Sequence, residues 1–285
     1  MRKKTTRKVK RAAAIFLFAM TLCIVWFACQ SMAQNAKGGT AHGAEQVPGG
    51  TAGNGLPREF LTRMEIPICA SGGDDHEIHE YTAFALCYRE SYELPEWVAY
   101  ELTREELAVN VSRSNNFRAD PSISTGSAAS SDYTHSGYDR GHLAPAADMR
   151  FDLEAMSESF YMSNIAPQTP ALNRYAWKYA EDMTRSLAEQ YGRVWVVSGP
   201  ILGRADFKTI GQNNVAVPDY FYKALLYPID EPPYYGAVAF IMPNENPSRN
   251  HMDYTVSIDD IETGTGLDLF PALDDEIEKI VEAIR

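Results

Sequence analysis

Four short apolar stretches follow one another in the second half of the chain, with no helix-like stretch between them. They read VWVVS, FYKALLY, AVAFIM and YTVSI, at residues 194–198, 221–227, 237–242 and 254–258, and turns containing Gly-Pro, Pro-Pro and Asn-Pro join them. Short runs rich in β-branched and aromatic residues between turn residues predict strands. Because the helix-like stretches are grouped around this block, the pattern predicts an α+β sheet fold rather than alternating βαβ units.

The other elements are predicted around that block. Two further strands, expected to pair with each other, are predicted at residues 81–88 and 97–102. Helices are predicted at residues 153–161, 174–191 and 273–284. Asn173 is expected to cap the second of these helices and Gly192 to end it. The polar residues 113–137 predict a long loop that leads into a cluster of chemically active side chains.

The first 33 residues have the pattern of a targeting segment. Seven Lys and Arg lie within residues 2–11, residues 12–28 carry no charge, and Ser31-Met32-Ala33 has the small-x-small pattern of signal-peptidase sites. We therefore expect residues 1–33 to be a signal peptide or N-terminal anchor, and the protein to be exported to the periplasm or outside the cell. Lipidation at Cys29 is a third alternative. Contact with a membrane is expected only through residues 12–28, if the segment is not cleaved.

Two regions follow the targeting segment. Residues 34–57 are rich in glycine and contain no aromatic residue, which predicts a flexible linker. Residues 58–285 are expected to form a single folded domain. Of the four cysteines, only Cys69 and Cys87 lie in this domain. They form a disulfide or remain two buried thiols, and their spacing matches no common zinc-ligand pattern.

The charge of the chain argues against broad electrostatic binding of a polyanion. Seven of the 26 Lys and Arg lie in residues 2–11, and all 38 Asp and Glu lie beyond residue 33, so the rest of the chain has 19 basic residues against 38 acidic ones. Such a surface repels nucleic acid at long range. A nucleic-acid substrate would therefore depend on a metal ion and on a few arginine side chains in the site.

Residues 139–148 (DRGHLAPAAD) place Asp, Arg and His within four positions. An imidazole such as that of His142 accepts a proton near neutral pH when its other nitrogen is held. Asn173 offers an amide oxygen, which Mg²⁺ accepts as a ligand beside a substrate phosphate; plain helix capping is the alternative for this residue. At 100° per residue, Glu181 and Arg185 share one helix flank with Asn173, although an exposed ion pair has the same spacing.

These motifs together resemble a known family. Asp139-Arg140-Gly141-His142 and the residues up to Met149 resemble the DRGH motif of the DNA/RNA non-specific endonuclease family, which includes endonuclease G and belongs to the ββα-metal, or His-Me finger, superfamily. The likeness continues in the family's order, over roughly residues 76–272, through PEWVAY at 95–100, FYMSNIAPQ at 160–168, LNR at 172–174 with Trp177, VVSGP at 196–200, residues 218–223 and VSIDDIE at 256–262. It implies a ββα-metal endonuclease fold in which helices flank a central, mostly antiparallel sheet.

The resemblance also implies roles for single residues. His142 matches the general base that activates the attacking water, and Asn173 matches the direct protein ligand of one Mg²⁺ ion, for which Mn²⁺ can substitute. Glu181 matches an acidic residue that holds a metal-bound water. Arg185 matches a basic residue near the scissile phosphate, and Asn164 matches an amide that shapes the site.

The arginines around the motif form the expected substrate contacts. Arg140 is expected to contact phosphate or to buttress its loop. Some members of the family carry an arginine where this chain has Asn115, so Arg113 or Arg118 is expected to replace that phosphate contact. Arg174 completes the expected substrate-binding set.

The sequence thus predicts an exported, Mg²⁺-dependent endonuclease that hydrolyses phosphodiester bonds of DNA and RNA with little sequence preference. Two alternatives stand beside it. One is a catalytically silent module that binds a partner at the cell surface, and the other is a phosphodiesterase acting on a substrate other than nucleic acid. The sequence does not indicate an oligomeric state.

Overall fold

The computed structural model describes residues 63–69, 75–248 and 250–285. The predicted targeting segment (1–33) and linker (34–57) lie outside these residues. Within the described ranges, no helix combines the length and the apolar character needed to cross a bilayer.

One large sheet organises the described chain. The strands, in chain order, are β1 (Ile68–Cys69), β2 (His76–Glu80), β3 (Ala85–Arg89), β4 (Leu94–Thr103), β5 (Asp139–His142), β6 (Ile165–Gln168), β7 (Arg193–Pro200), β8 (Thr209–Ile210), β9 (Val215–Ala216), β10 (Tyr220–Pro228), β11 (Tyr235–Pro243), β12 (Thr255–Val256) and β13 (Leu267–Asp268). Seven of them form a sheet in the order β12-β11-β10-β7-β4-β3-β2, in which all neighbours are antiparallel. The pairs β1–β13, β5–β6 and β8–β9 are separate two-stranded sheets.

Helices lie between and after these strands. The α-helices are α1 (Arg104–Leu107), α2 (Leu153–Glu158), α3 (Lys178–Tyr191), α4 (Ile258–Thr265) and α5 (Asp275–Val281), and short 3-10 helices span Glu90–Tyr92, Ser130–Tyr133, Met162–Asn164 and His251–Tyr254. A π-helical segment, Leu172–Trp177, runs directly into α3.

Alternating side chains divide the core between the two faces of the seven-stranded sheet. Along β4, Val98 and Tyr100 belong to one buried cluster, whereas Trp97 and Ala99 belong to the other. Helix α3 packs into the first cluster through Ala180 and Ala188. The second cluster contains Ile258 and Ile261 of α4 and Val281 of α5. The predicted α+β architecture, an antiparallel sheet flanked by helices, is therefore confirmed.

Two predicted strands are shorter in the structure. Tyr81 and Phe84 close a turn, in which the Tyr81 amide donates to the Phe84 carbonyl at 2.8 Å, so the strand predicted at 81–88 begins only at Ala85. The strand predicted at 254–258 ends at Val256 because Ser257 caps α4. The Ser257 hydroxyl accepts a hydrogen bond from the Asp260 amide at 3.1 Å, and the Asp260 carboxylate accepts one from the Ser257 amide at 3.0 Å.

The helix that carries Asn173 begins earlier than predicted. The Thr169 hydroxyl accepts a hydrogen bond from the Leu172 amide at 3.3 Å, and the Thr169 carbonyl accepts one from the Asn173 amide at 2.9 Å. Asn173 therefore lies inside the helix and is not its N-cap. A threonine followed by proline is the usual start of a helix, and this chain has Thr169-Pro170 at that place.

Candidate active site

A short hairpin and the helix after it form a ββα unit. Strands β5 and β6 pair antiparallel, with Asp139 opposite Gln168 and His142 opposite Ile165, and the helical chain from Leu172 follows. Gly141 lies in the centre of β5, where a Cβ atom would approach the Gln168 Oε1 atom to 2.3 Å. Only glycine allows this close packing, which explains its place between Arg140 and His142.

The His142 imidazole is buried at the end of β5, with 8% of the residue exposed. It lies between two aromatic rings, with centroid distances of 5.4 Å to Phe117 and 4.9 Å to Phe160. The Arg140 backbone forms a hydrogen bond with the imidazole, whereas Nε2 has no partner among the described residues, so Nδ1 makes that bond. Burial and the positive charge of Arg113 lower the pKa of His142 from 6.5 to about 3. The imidazole is therefore neutral at physiological pH, with an unprotonated Nε2.

The backbone around His142 is fixed from two sides. The indole of Trp177 donates to the His142 carbonyl at 3.1 Å. Asn164, which is fully buried, accepts from the Ala144 amide through Oδ1 and donates to the Ala144 carbonyl through Nδ2, both at 2.9 Å. Its Nδ2 also donates to the Ser159 carbonyl at 2.8 Å. All polar atoms of the Asn164 side chain are thus used to hold the segment behind His142, which places this residue as a positioning residue.

Asn173 is held next to the start of β5. Its Nδ2 donates to the Asp139 carboxylate at 3.1 Å. Arg174 binds the same carboxylate through Nε and Nη2, both at 2.7 Å, and this pairing lowers the pKa of Asp139. Because the amide nitrogen of Asn173 is engaged, its oxygen remains available to a cation. An amide oxygen oriented by a neighbouring carboxylate fits a Mg²⁺ ligand.

Glu181 and Lys223 influence each other's ionisation beneath the helix. Lys223 lies in the middle of β10 and is fully buried, its Nζ has no hydrogen-bond partner among the described residues, and it lies 4.8 Å from the centroid of the Trp177 ring. Burial raises the pKa of Glu181 and lowers that of Lys223, while the charge of each group opposes these shifts in the other. The positive charge of Lys223 therefore favours the ionised form of Glu181.

Arg185 is fixed by two carboxylates. Its Nη1 donates to Asp148 at 2.6 Å, and its Nη2 donates to Asp182. Asp148 is buried and also accepts a hydrogen bond from the Tyr100 hydroxyl at 2.7 Å. Arg185 is thus held in place at the second turn of α3, with its positive charge acting on Glu181.

The remaining arginines differ in what they contact. Arg113 is exposed and lies 4.8 Å from the Phe160 ring, and its charge acts on both His142 and Glu181. Arg140 donates to the Ser130 carbonyl at 2.8 Å and stacks between Phe117 and Tyr133. Arg140 therefore contacts the loop at Ser130, and Arg113 lies beside the site.

The Arg118 side chain binds groups that lie away from His142. Its Nη1 donates to the Ser157 carbonyl at 2.8 Å, and its guanidinium carbon lies 3.9 Å from the centroid of the Tyr161 ring. These contacts fix the loop against the end of α2. Of the two candidates for the upstream phosphate contact, only Arg113 acts electrostatically on His142 and Glu181.

The sequence predicted no role for two residues of the site, Lys223 and Gln168. Lys223 was visible as a single lysine within the apolar stretch FYKALLY, where a charge needs a partner to be buried. Gln168 is fully buried and neither its Oε1 nor its Nε2 has a partner among the described residues. No local pattern distinguishes this glutamine from an exposed one, because its burial follows from the pairing of β5 with β6.

A buried neutral histidine on the first strand, and an oriented amide on the helix that follows, define the ββα-metal class of site. The model of the DNA/RNA non-specific endonuclease family matches residues 65–276. The chain belongs to this family.

Relatives and a solved structure agree with this assignment. Over 215 residues the chain is 36% identical to the mitochondrial nuclease EXOG of Mus musculus, covering 70% of this chain and 58% of that protein. It is 35% identical over 249 residues to mitochondrial endonuclease G of Bos taurus, covering 81% and 79%. The crystal structure of the EndoG/EndoGI complex superposes with a TM-score of 0.66 at 30% identity, covering 75% of this chain and 91% of that one. The chain therefore spans about three fifths of the length of the EXOG relative.

These comparisons correct the expected location. The mouse and cattle relatives are named as mitochondrial proteins. The prediction of export to the periplasm or outside the cell is therefore wrong. The basic and apolar composition of the first 33 residues, on which that prediction was based, is insufficient to identify an export signal.

Proposed function

We propose that this protein is a Mg²⁺-dependent endonuclease that hydrolyses phosphodiester bonds of DNA and RNA without strong sequence preference. The observation that carries the proposal is the His142 imidazole, which is buried and neutral, with Nδ1 held by the backbone and Nε2 unpartnered among the described residues. Membership of a nuclease family with metal-dependent members supports the same function.

The residues of the ββα unit divide the chemistry between them. Nε2 of His142 accepts a proton from water while the water oxygen bonds to phosphorus and the bond to the leaving 3′ oxygen breaks. Asn173 would hold the metal through its amide oxygen, and Glu181 would hold a water beside it. When bound, Mg²⁺ supplies positive charge to the phosphate and to the departing oxygen. Mn²⁺ is expected to substitute for it.

Arginine side chains supply the remaining positive charge. Arg113 lies beside His142 and is exposed, so it can contact a phosphate directly. Arg185 adds positive charge close to Glu181 from a position fixed by Asp148 and Asp182. Arg174 remains a candidate substrate contact at the rim, although Asp139 binds its guanidinium in this structure. Because so few basic groups face the substrate, binding is expected to be weak and sensitive to salt.

Digestion of plasmid DNA and of RNA tests the function. We expect both to be cut with Mg²⁺ or Mn²⁺ and to stay intact with EDTA, and we expect His142→Ala to lower kcat/KM by about 10²–10⁴-fold. The matched control is His135→Asn, since His135 is exposed and its left-handed backbone suits asparagine. Intact DNA and RNA in the presence of either metal would contradict the proposal. Full activity of His142→Ala would contradict the role of His142.

A further inference from the structure

Three metal-binding side chains meet on the edge of the large sheet, away from the ββα unit. They are His76 of β2, Cys87 of β3 and Glu96 of β4, and their ligand atoms all lie within 4.8 Å of one another. Cys87 belongs to the buried cluster on the sheet face opposite to α3. This cluster of donors is therefore separate from His142 and Asn173.

The strand register brings these donors to one side. Ile78 is opposite Cys87, and His76, two residues earlier on the same strand, shares its face. On the other side of β3, Cys87 is opposite Trp97 but Tyr88 is opposite Pro95, so Glu96 is the extra residue of a β-bulge. A bulge re-aims the side chain of its extra residue, and here it turns Glu96 towards the side of Cys87.

One distance within the cluster matches the separation of two zinc ligands. The His76 Nδ1 atom lies 3.5 Å from the Glu96 Oε2 atom. Nitrogen and oxygen ligands of tetrahedral zinc, each about 2.1 Å from the metal, are separated by about 3.4 Å. Arg89 donates to the other oxygen of Glu96, Oε1, at 2.7 Å. This bond orients the carboxylate with Oε2 facing His76, as the outer partners of metal ligands commonly do.

The charge of the three side chains and the types of their donor atoms both favour Zn²⁺. A thiolate and a carboxylate together carry two negative charges, which match a divalent cation, and Arg89, which binds Glu96, also pairs with Asp75, whose Oδ2 lies 2.9 Å from Nε. Sulfur and imidazole ligands select zinc over magnesium. The ββα unit, in contrast, offers the oxygen ligands that suit Mg²⁺.

We propose that His76, Cys87 and Glu96 form a Zn²⁺ site. Cys87 binds through its sulfur and releases its thiol proton to solvent, His76 binds through Nδ1, and Glu96 binds through Oε2. Water would be the fourth ligand. It would enter from the sheet edge beside the His76 side chain, which is 13% exposed. Bound zinc ties the edge strand β2 to β3 and β4, so its role is to stabilise this end of the sheet.

Cobalt titration tests this site independently of nuclease activity. The full chain, purified with reductant, stripped of metal and saturated with Mg²⁺, is titrated with Co²⁺, because a thiolate ligand gives a sulfur-to-cobalt charge-transfer band that oxygen ligands do not. We expect one such Co²⁺ per chain, and we expect one equivalent of Zn²⁺ to abolish the band. Asn173→Ala is expected to keep it, since that residue belongs to the other metal site.

Substitutions at the ligands complete the test. Cys87→Ser is expected to lose the band, while His76→Gln and Glu96→Gln are expected to weaken Co²⁺ binding by about 10-fold or more. Zinc is expected to raise the Tm of the wild type but not of His76→Gln. His76 is only partly buried, so this variant keeps the test valid if Cys87→Ser does not fold. Absence of the band in the wild type, its persistence in Cys87→Ser, or unchanged affinity in both Gln variants would each overturn the zinc site.

Discussion

The Trp177 indole nitrogen donates a hydrogen bond to the backbone carbonyl of His142 at 3.1 Å, across 35 residues of sequence. This bond joins the helix that carries the proposed metal ligand to the strand that carries the proposed base. The same ring lies 4.8 Å from the buried Lys223 Nζ. Trp177 therefore connects the three parts of the site.

Removal of this bond is expected to misplace the imidazole. Trp177→Phe keeps an aromatic ring in the core but leaves the His142 carbonyl without its donor, so we expect kcat to fall about 10-fold and the free energy of unfolding to fall by about 1–3 kcal/mol. The measurements are single-turnover cleavage and urea unfolding. Trp195→Phe, on the other side of the sheet, is the matched control: it removes packing against the second cluster but should leave kcat unchanged. Wild-type kcat in Trp177→Phe would show that the bond does not position His142.

Asp139 is expected to determine the metal requirement. Asp139→Asn removes the charge that binds Arg174 and weakens the acceptor for the Asn173 amide, so the Mg²⁺ concentration that gives half-maximal activity should rise about 10–100-fold. Activity at saturating Mg²⁺ should recover most of the loss. Asp206→Asn, in an exposed loop, is the control. An unchanged Mg²⁺ dependence would mean that Asn173 is oriented without Asp139.

Lys223 is expected to control the ionisation of Glu181. In Lys223→Met the positive charge that favours the carboxylate is lost, so the pKa of Glu181 rises and the acidic limb of the pH–activity profile moves to higher pH. Activity should therefore fall more at pH 7 than at pH 9. Lys178→Met removes an exposed lysine of α3, which pairs with Asp182 at 2.6 Å, and should leave the profile unchanged. A parallel loss at all pH values would indicate a packing role only.

Burial of neutral His142 makes the fold sensitive to acid. The pKa is 6.5 in the unfolded chain and about 3 in the folded one, so below pH 6.5 the unfolded state binds a proton that the folded state excludes. The stabilising contribution is complete above pH 6.5 and decreases as the pH falls towards 3. Between pH 7.5 and 4.5 the wild type should lose up to about 3 kcal/mol more unfolding free energy than His142→Gln. Equal losses in urea unfolding would contradict the lowered pKa.

Arg113 and Arg118 are expected to have different roles. Arg113→Ala removes an exposed charge beside His142, so we expect kcat/KM for DNA to fall about 10–100-fold with little change in Tm. Arg118→Ala removes the hydrogen bonds to Ser157 and the contact with Tyr161, so it should lower the Tm more than the activity at low temperature. The two variants are each other's control. The reverse pattern would assign the phosphate contact to Arg118.

The fold class could be predicted from the sequence because it depends on local patterns. Apolar stretches between turn residues identified the strands β7, β10 and β11, and the motif around Asp139 identified the ββα hairpin. The pairing of Asn164 with Ala144, by contrast, requires two backbone groups to be left without partners in a loop. The resemblance implied that Asn164 shapes the site, but no residue type reports which backbone groups lack partners, so the groups that Asn164 binds are visible only in three dimensions.

The proposed zinc ligands also could not be predicted as a group from the sequence. The spacing of Cys69 and Cys87 matches no zinc motif, and the side chain of Cys69 lies outside the described side chains, so the disulfide alternative stays a prediction; it and the zinc site exclude each other, because both use the Cys87 sulfur. The donors that meet Cys87 come from neighbouring strands, and one of them depends on a bulge at Glu96. A bulge shifts the register by one residue, which sequence periodicity alone does not reveal.

The angle between Asn173 and Glu181 depends on how many residues the π-helical segment Leu172–Trp177 contains, as well as on which residues they are. A single extra residue in a helical turn produces such a segment, and deleting one residue from it would restore the α-helix. Turns closed by i→i+5 hydrogen bonds advance less than 100° per residue, so the angle between Asn173 and Glu181 differs from the one that an unbroken α-helix of the same residues would give. The direction of the proposed metal ligand is thus set by the winding of the chain as well as by the identity of the side chain.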